Sequence, residues 1–192
     1  MSNLIQFLLI INFVDLISTN KIRNLCNHYS EINLVVKGKE TSHTTGKFTH
    51  QTSEILVNGE IYDDNCNLNE DKNNIVLRFE NQINSCDYMF LSLDNMIEID
   101  LSNFNSSKCT SMFSMFKDCS NLEKINFGKY NTISVENMEF MFYGCSKLTS
   151  LDLSNFDCSK VTSMSYMFKA CSSLEKIIFG NMDTFSLVNV DY

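Results

Sequence analysis

The stretch NMEFMFYGCSKLTSLDLSNF, residues 137–156, contains the unit that decides the fold, because it recurs along the chain. Met-Phe pairs begin at residues 89, 115, 141 and 167, in steps of 26 residues. Three apolar columns keep this step: Ile99, Ile125, Leu151 and Ile177; Leu101, Phe127, Leu153 and Phe179; and Phe104, Tyr130, Phe156 and Met182. A fixed period of roughly 20–50 residues is typical of solenoids and repeat arrays. We therefore predict that successive repeats stack on one another.

Each repeat combines two hydrophobic periodicities. The spacing i, i+3, i+4 and i+7, which marks one face of a short helix, is occupied by Met164, Met167, Phe168 and Cys171. Residues 148–156 follow L-x-x-L-x-L-x-x-F, in which apolar and polar positions alternate as in a half-buried strand. Neither element is long enough to bury its apolar face alone, so stacking must supply the partner surface. The predicted fold class is α/β, a solenoid with parallel strands on one face and short helices on the other.

These same residues carry a family resemblance. The L-x-x-L-x-L pattern followed by helical spacing resembles a leucine-rich repeat, and residues 151–177, LDLSNFDCSKVTSMSYMFKACSSLEKI, resemble more narrowly the BspA-type leucine-rich repeat of bacterial and protist surface proteins. The resemblance covers about half the chain, from Ser85 onward. It departs at Phe156 and its equivalents, where many leucine-rich repeats have Asn or Cys and an aromatic stack is expected here. It implies a secreted or cell-surface interaction protein, often adhesive, with a protein or glycan ligand.

Composition and motifs exclude several functional classes. The net charge is −8 and no basic stripe is visible, which argues against a general nucleic-acid binder. The sequence has no Gly-rich phosphate loop and no GxSxG, and its three histidines precede the repeats without metal-ligand spacing. We predict a non-enzymatic protein with no cofactor and no metal site.

The N-terminal region contains an apolar run, LIQFLLIINFVDLI at residues 4–17, interrupted by Gln6, Asn12 and Asp15. The run is too short for a bilayer span of about 20 residues and fits the apolar region of a secretory signal. We predict a signal peptide at residues 1–19 and a secreted or cell-surface location. The alternatives are a buried helix or strand and an uncleaved anchor, which would be the only membrane association.

Residues 20–84 are predicted to form a small β cap on the open end of the array. Strands are expected at EINLVVK (31–37) and NIVLRF (74–79), and Asn58-Gly59 predicts a hairpin between residues 54–57 and 60–62. Thr41–Gln51 is expected to be an exposed loop. Residues 85–192 would then hold about four repeats, the last one incomplete. The incomplete last repeat suggests either that the sequence is a fragment of a longer array or that its open end stacks on another chain.

Polar side chains on the predicted strands form two outward columns on the sheet face. They are Glu98, Lys124, Ser150 and Lys176, beside Asp100, Asn126, Asp152 and Ile178. Because solenoids commonly bind partners on such a face, we predict that these residues form the binding face. The alternative for the residues is that they are merely solvated strand positions. The alternative for the protein is a purely structural spacer or assembly module of a longer repeat protein.

Five of the eight cysteines lie within the repeats, beyond the boundary with the predicted cap. Cys119, Cys145 and Cys171 share one column and are expected to be buried free thiols. Neighbouring helices about 8–10 Å apart would keep them too distant for disulfides. Cys109 is expected in the core, and Cys158 in a more exposed return loop.

The other three cysteines, Cys26, Cys66 and Cys86, lie in or beside the predicted cap. If the protein is exported, Cys66–Cys86 is the preferred disulfide among them, with buried thiols as the alternative. Asn105 begins the only N-x-S/T sequon and is a glycosylation candidate in a return loop.

Overall fold

A computed structural model describes residues 30–37, 52–61 and 71–180. The described residues contain eight strands: β1 (Ser30–Lys37), β2 (Glu54–Val57), β3 (Glu60–Ile61), β4 (Lys72–Phe79), β5 (Met96–Asp100), β6 (Lys124–Asn126), β7 (Ser150–Leu153) and β8 (Lys176–Phe179). The predicted signal peptide, the predicted loop at residues 41–51 and the segment from residue 181 onward lie outside the described residues.

The strands predicted before the repeats are confirmed. Alternating burial along β1 matches the sequence alternation in EINLVVK, and β4 begins two residues earlier than expected. At the hairpin between β2 and β3, Asn58 has φ 51° and Gly59 has φ 89°. Positive φ at both central residues is what a type I′ hairpin turn requires, and Asn-Gly tolerates it well.

Two sheets hold these strands. Six strands form a mixed sheet in the order β3-β2-β4-β1-β5-β6, in which β1 is antiparallel to both β4 and β5. The β5–β6 pair is parallel, as is the separate β7–β8 pair. In both parallel pairs the partners are 26 residues apart, such as Glu98 with Lys124 and Ser150 with Lys176. Strands before the repeats and strands of the first two repeats therefore share one sheet.

The predicted α/β class is wrong, because the described residues contain no helix and the architecture there is all-β. The segments expected to be helical are successive tight turns whose backbone bonds reach the next coil of the chain. The N–H groups of Phe90, Phe116 and Phe142 donate to the carbonyls of Met115, Met141 and Met167 at 2.9, 2.9 and 3.0 Å. Within the described ranges, nothing helical has the length and apolar character needed to cross a membrane.

Backbone conformation explains why these segments are not helices. Two columns have positive φ: Tyr88, Ser114, Phe140 and Tyr166, and four residues later Ser92, Asp118, Gly144 and Ala170. The non-glycine members have φ between 53° and 62°, whereas an α-helix needs negative φ throughout. Each coil therefore has two left-handed residues, four positions apart, and there the backbone N–H and C=O groups point outward to adjacent coils. We call each such stretch the turn segment of its coil.

The turn segments nevertheless bury the residues that a helix would bury. Met112, Met115, Phe116 and Cys119 are all fully buried, although they lie on turns. Their i, i+3, i+4, i+7 spacing therefore imitates a helical face. The prediction failed because this pattern reports which side chains point inward and not which backbone bonds form.

The core between the strands and the turn segments is built on two aromatic columns. Phe90, Phe116, Phe142 and Phe168 stack with ring centroids 5.3, 5.6 and 5.7 Å apart. Phe104, Tyr130 and Phe156 stack at 5.9 and 6.1 Å, which confirms the aromatic stack expected for this column. Stacking at this spacing lets each ring contact its equivalent in the next coil.

Buried hydroxyls join successive coils at the return turn. Ser106 Oγ donates to the Asn131 carbonyl and accepts from the Asn131 N–H, both at 2.9 Å. Thr132 Oγ1 donates to the Asp157 carbonyl at 3.0 Å and accepts from its N–H at 2.7 Å. Cys158 occupies the next position in this column and is buried, so the expectation that it is more exposed is wrong.

In the column Cys119, Cys145 and Cys171, the first two are buried as expected and Cys171 is partly buried. The thiols of Cys119, Cys145 and Cys171 donate to the carbonyls of Phe90, Phe116 and Phe142 at 3.0, 3.2 and 3.0 Å. Helix spacing cannot keep these thiols apart, because the coils are hydrogen-bonded at strand-like separations of about 4.7–4.9 Å. The thiols are free, and burial raises the pKa of Cys171 to about 11.

Candidate interaction surface

Two rows of side chains cross β4, β1, β5 and β6 on the outer face of the six-stranded sheet. Strand register aligns Asn74, Val35, Glu98 and Lys124 in the first row. The second row consists of Val76, Asn33, Asp100 and Asn126. Residues that alternate with them, such as Leu34, Ile75 and Ile99, face the core and are buried. We call these eight residues the outer rows.

The outer rows line a shallow depression of about 460 Å³. Four predicted binding-face residues border it, Glu98, Asp100, Lys124 and Asn126. The other four line it from strands that precede the repeats. The depression combines carboxylate, ammonium, amide and isopropyl groups within one continuous surface, so it offers both polar and apolar contacts.

The charged groups at the edge of the depression contribute little to the stability of the fold. Lys124 Nζ lies 3.8 Å from Glu98 Oε2, and the two side chains are 71% and 42% exposed. Exposed ion pairs of this kind contribute about 0–1 kcal/mol to stability. A partner could therefore engage either charge at little cost to the fold.

The column Asp100, Asn126 and Asp152 has a structural role that the sequence analysis did not foresee. In each case Oδ1 accepts a hydrogen bond from the backbone N–H two residues later, at 2.8, 3.1 and 2.9 Å. These Asx turns end the strands. Partial burial opposes ionisation of Asp100, but hydrogen bonds from Ser102 and Asn126 and the charge of Lys124 outweigh it and lower the pKa. At Asp152 the bonds from the residue two positions on likewise lower the pKa.

The remaining predicted binding-face residues lie on the separate β7–β8 sheet. Ser150 pairs with Lys176, and Asp152 pairs with Ile178. Ile178 is 40% exposed, an apolar interruption of the polar column. The structure therefore distributes the predicted face over two sheets, with the depression beside only the first.

Four residues complete the outer rows and were not predicted from the sequence: Asn33, Val35, Asn74 and Val76. The alternation in EINLVVK indicates that Asn33 and Val35 share a face. What it could not indicate is that β1 pairs antiparallel with β5, where Asn33 aligns with Asp100 and Val35 with Glu98.

A salt-bridge cluster fixes the strands at one side of the outer rows. Arg78 Nε lies 2.6 Å from Glu31 Oε1, and its Nη1 lies 2.6 Å from Glu54 Oε2. Burial opposes the charge on Arg78, but the two carboxylates more than compensate, so its pKa is raised. The Arg78 side chain is only 8% exposed, which makes it a link between β1, β2 and β4 more than a ligand contact.

The glycosylation candidate and the two disulfide candidates are not among the outer rows. Asn105 is exposed, and its Oδ1 accepts bonds from the Ser107 N–H at 3.2 Å and the Ser107 hydroxyl at 2.7 Å. Cys66 lies outside the described residues. Cys86 is fully buried.

A second surface feature lies on the turn segments. Aromatic rings contact each other there at centroid distances of 5.1–5.8 Å. Phe140 and Tyr143 do so within one coil and the other pairs between neighbouring coils, and the rings are those of Tyr88, Phe113, Phe140, Tyr143 and Tyr166. Lys117 and Lys169 lie over rings of this group. We call these five rings the aromatic ribbon. The ring of Tyr88 is exposed, and those of Phe140 and Tyr166 are partly buried.

Residues 30–37, 52–61 and 71–180 contain no group of three His, Cys, Asp or Glu side chains placed to hold a metal ion.

The profile of a family described as Mycoplasma protein of unknown function, DUF285, matches residues 67–191. No curated protein and no solved structure matches the chain.

Proposed function

This chain belongs to the family described as Mycoplasma protein of unknown function, DUF285, and we propose that it is a non-enzymatic secreted or cell-surface binding protein. In this proposal the outer rows and the polar columns of β7 and β8 contact a macromolecular ligand, a protein or a glycan, and so mediate adhesion. The alternative is a structural spacer or assembly module of a longer repeat protein.

The observation that carries the proposal is the continuity of the outer rows across β4, β1, β5 and β6. Strands from two parts of the chain place complementary groups side by side around a depression of about 460 Å³. The ion pair between Glu98 and Lys124 contributes little to the stability of the fold, because it is long and exposed. A spacer would need only solvated polar residues here, without a depression lined by Val35 and Val76.

The finer family assignment, to BspA-type leucine-rich repeats, is part of the same proposal. It is supported by the L-x-x-L-x-L pattern at residues 148–153, whose three leucines are buried against the core. In this assignment the segment opposite each strand is a turn segment and not a helix. Export through a signal peptide at residues 1–19 also belongs to the proposal.

Charge reversal at the surface tests the proposal directly. The labelled full chain is applied to a glycan microarray and to cultured epithelial cells, and bound label is measured. We expect Lys124→Glu to weaken binding by roughly 5- to 10-fold, because losing one interface charge contact costs about 1 kcal/mol. Adding Lys176→Glu should weaken binding further if β8 belongs to the same surface.

The matched control is Lys108→Glu, which changes the net charge equally at an exposed site away from the outer rows. Unchanged binding by Lys124→Glu, or equal loss in the control, would contradict the proposed surface. Loss on Tyr166→Ala instead would move the surface to the aromatic ribbon. No binding by the wild-type chain to either probe, with self-association in sedimentation velocity, would favour the spacer.

A further inference from the structure

Two buried cysteines lie in direct contact where the first coil packs on the second. Both thiols are free in this structure, but Cys86 Sγ is only 2.6 Å from Cys109 Sγ, well inside the separation at which two nonbonded heavy atoms pack. Both residues are fully buried. Backbone hydrogen bonds hold both positions, since Cys86 N–H donates to Ser111 and Cys109 N–H donates to Ser106, each at 2.9 Å.

Equivalent positions in the other coils show that this pair is unusual. The Cys86 column continues with Met112, Met138 and Met164, and the Cys109 column continues with Val135 and Val161. The pairs equivalent to Cys86–Cys109 are therefore Met112–Val135 and Met138–Val161, with the same separation of 23 residues. Only in the first pair are both the methionine and the valine replaced by cysteine, and there the two sulfur atoms are in contact.

The surroundings of the pair favour a permanent bond over a reactive dithiol. Cys86 Sγ lies 3.6 Å from the buried Tyr130 hydroxyl, and Cys109 Sγ lies 3.4 Å from the Ile83 carbonyl. The contact with Cys109 and burial raise the pKa of Cys86, so the folded protein suppresses the thiolate that exchange requires. Oxidation must then occur before these coils close, and closure afterwards shields the bond from reductants.

We propose that Cys86 and Cys109 form an intrachain disulfide that closes the first coil onto the second. It forms by thiol–disulfide exchange during folding. One cysteine thiolate attacks the disulfide of an oxidant, such as oxidised glutathione or a disulfide oxidoreductase, and releases one oxidant thiol. The other cysteine thiolate then attacks the mixed disulfide and releases the second. The two cysteines lose two protons and two electrons, and the oxidant disulfide is reduced to two thiols.

This pairing replaces Cys66–Cys86, the disulfide preferred from sequence, because Cys86 can make only one such bond. In the organism the bond rests on the proposed export, since export supplies an oxidising compartment. The chemistry is testable without it, because the purified chain can be refolded in a glutathione redox buffer. A failed binding experiment and a failed disulfide experiment are therefore distinguishable.

The test maps disulfides in the full chain refolded with oxidised and reduced glutathione. The protein is denatured with an alkylating reagent present and digested, and its peptides are identified by mass spectrometry without reduction. We expect a linked peptide pair containing Cys86 and Cys109, with Cys119 and Cys145 alkylated. Quantitative alkylation of Cys86 and Cys109, or a Cys66–Cys86 peptide, would overturn the proposal.

A matched variant measures what the bond contributes. Cys86→Met with Cys109→Val restores the pair that the other coils use, so it should fold without the disulfide. We expect dithiothreitol present throughout unfolding to lower the Tm of the oxidised wild type by about 5–15 °C. The Tm of the Met–Val variant should not respond to dithiothreitol. An equal response of both proteins would contradict a stabilising Cys86–Cys109 bond.

Discussion

Replacing Thr132 with valine removes a buried hydroxyl that joins two coils and leaves the side-chain shape unchanged. The hydroxyl makes two bonds to the backbone of Asp157, at 3.0 and 2.7 Å, and Thr132 is 1% exposed. Each intramolecular bond contributes about 0.5–1.5 kcal/mol, and a backbone group left unsatisfied when buried costs about 1–3 kcal/mol. Asp157 is half-buried, so solvent relieves part of that cost. We expect Thr132→Val to lower the free energy of unfolding by about 2–3 kcal/mol.

The matched control is Thr132→Ser, which keeps the hydroxyl and loses only a methyl group. Serine already fills the equivalent position at Ser106, where it makes the same two bonds. We expect this variant to lose about 1 kcal/mol, the value of one buried methyl group. Urea unfolding followed by far-UV circular dichroism measures both losses, and unchanged m-values would show that the unfolded states are comparable. The reasoning is refuted if Thr132→Val is as stable as Thr132→Ser.

Three further changes test single features of the coils. Gly128 has φ +53°, and a Cβ added there would lie 2.5 Å from the Cβ of Ser102 in the preceding coil. Gly128→Ala should therefore lower the free energy of unfolding by about 2 kcal/mol or more, and an unchanged urea midpoint would contradict this. Ala170 has φ 62° and is exposed, so Ala170→Gly should cost nothing in unfolding free energy, because relief of left-handed strain offsets the added chain entropy. The exposed control Ser173→Gly should lose about 0.4–1 kcal/mol, and equal losses would show that the strain is absent. Hydrogen bonds from the residue two positions on lower the pKa of Asp157 below its ordinary value of 3.8, so its stabilisation is complete above about pH 4 and is lost as pH falls through the folded pKa. Asp157→Asn keeps the acceptor oxygen and should therefore show a smaller fall in urea midpoint between pH 7 and pH 3 than the wild type; an identical fall would contradict the assignment.

The strands could be predicted because their local patterns carry enough information. Alternation in EINLVVK predicts β1 and its buried face, and Asn58-Gly59 predicts the hairpin that follows β2. In β7, Leu151 and Leu153 are buried between exposed Ser150 and Asp152, as the alternation indicates.

The turn segments could not be predicted, because residue type hardly marks their left-handed positions. Ser92, Asp118, Gly144 and Ala170 share one conformation, which glycine favours and aspartate adopts more readily than most residues, whereas serine and alanine do not favour it. Bulky side chains such as Phe140 are rare at positive φ. They adopt it here because bonds between coils hold the backbone, a tertiary effect that helical periodicity in one chain segment does not show.

The candidate surface was half predictable for a similar reason. The 26-residue step aligns Glu98 with Lys124 and Asp100 with Asn126, so sequence alone places these four together. The contribution of Asn33 depends on antiparallel pairing of β1 with β5. No sequence motif specifies that long-range pairing. The contact between Cys86 and Cys109 was missed because Cys86 was assigned to the predicted cap and Cys109 to the core of the repeats.

The most direct test of the architecture is an NMR measurement of scalar couplings across hydrogen bonds in the isotope-labelled chain. The amide nitrogen of Phe116 should couple to the carbonyl carbon of Met141, since the N–H of Phe116 donates to that carbonyl at 2.9 Å. Phe142 should couple to Met167 in the same way. Coupling of Phe116 to the carbonyl carbon of Met112, four residues earlier as in an α-helix, would contradict the stacked coils on which the proposed surface and the proposed disulfide both depend.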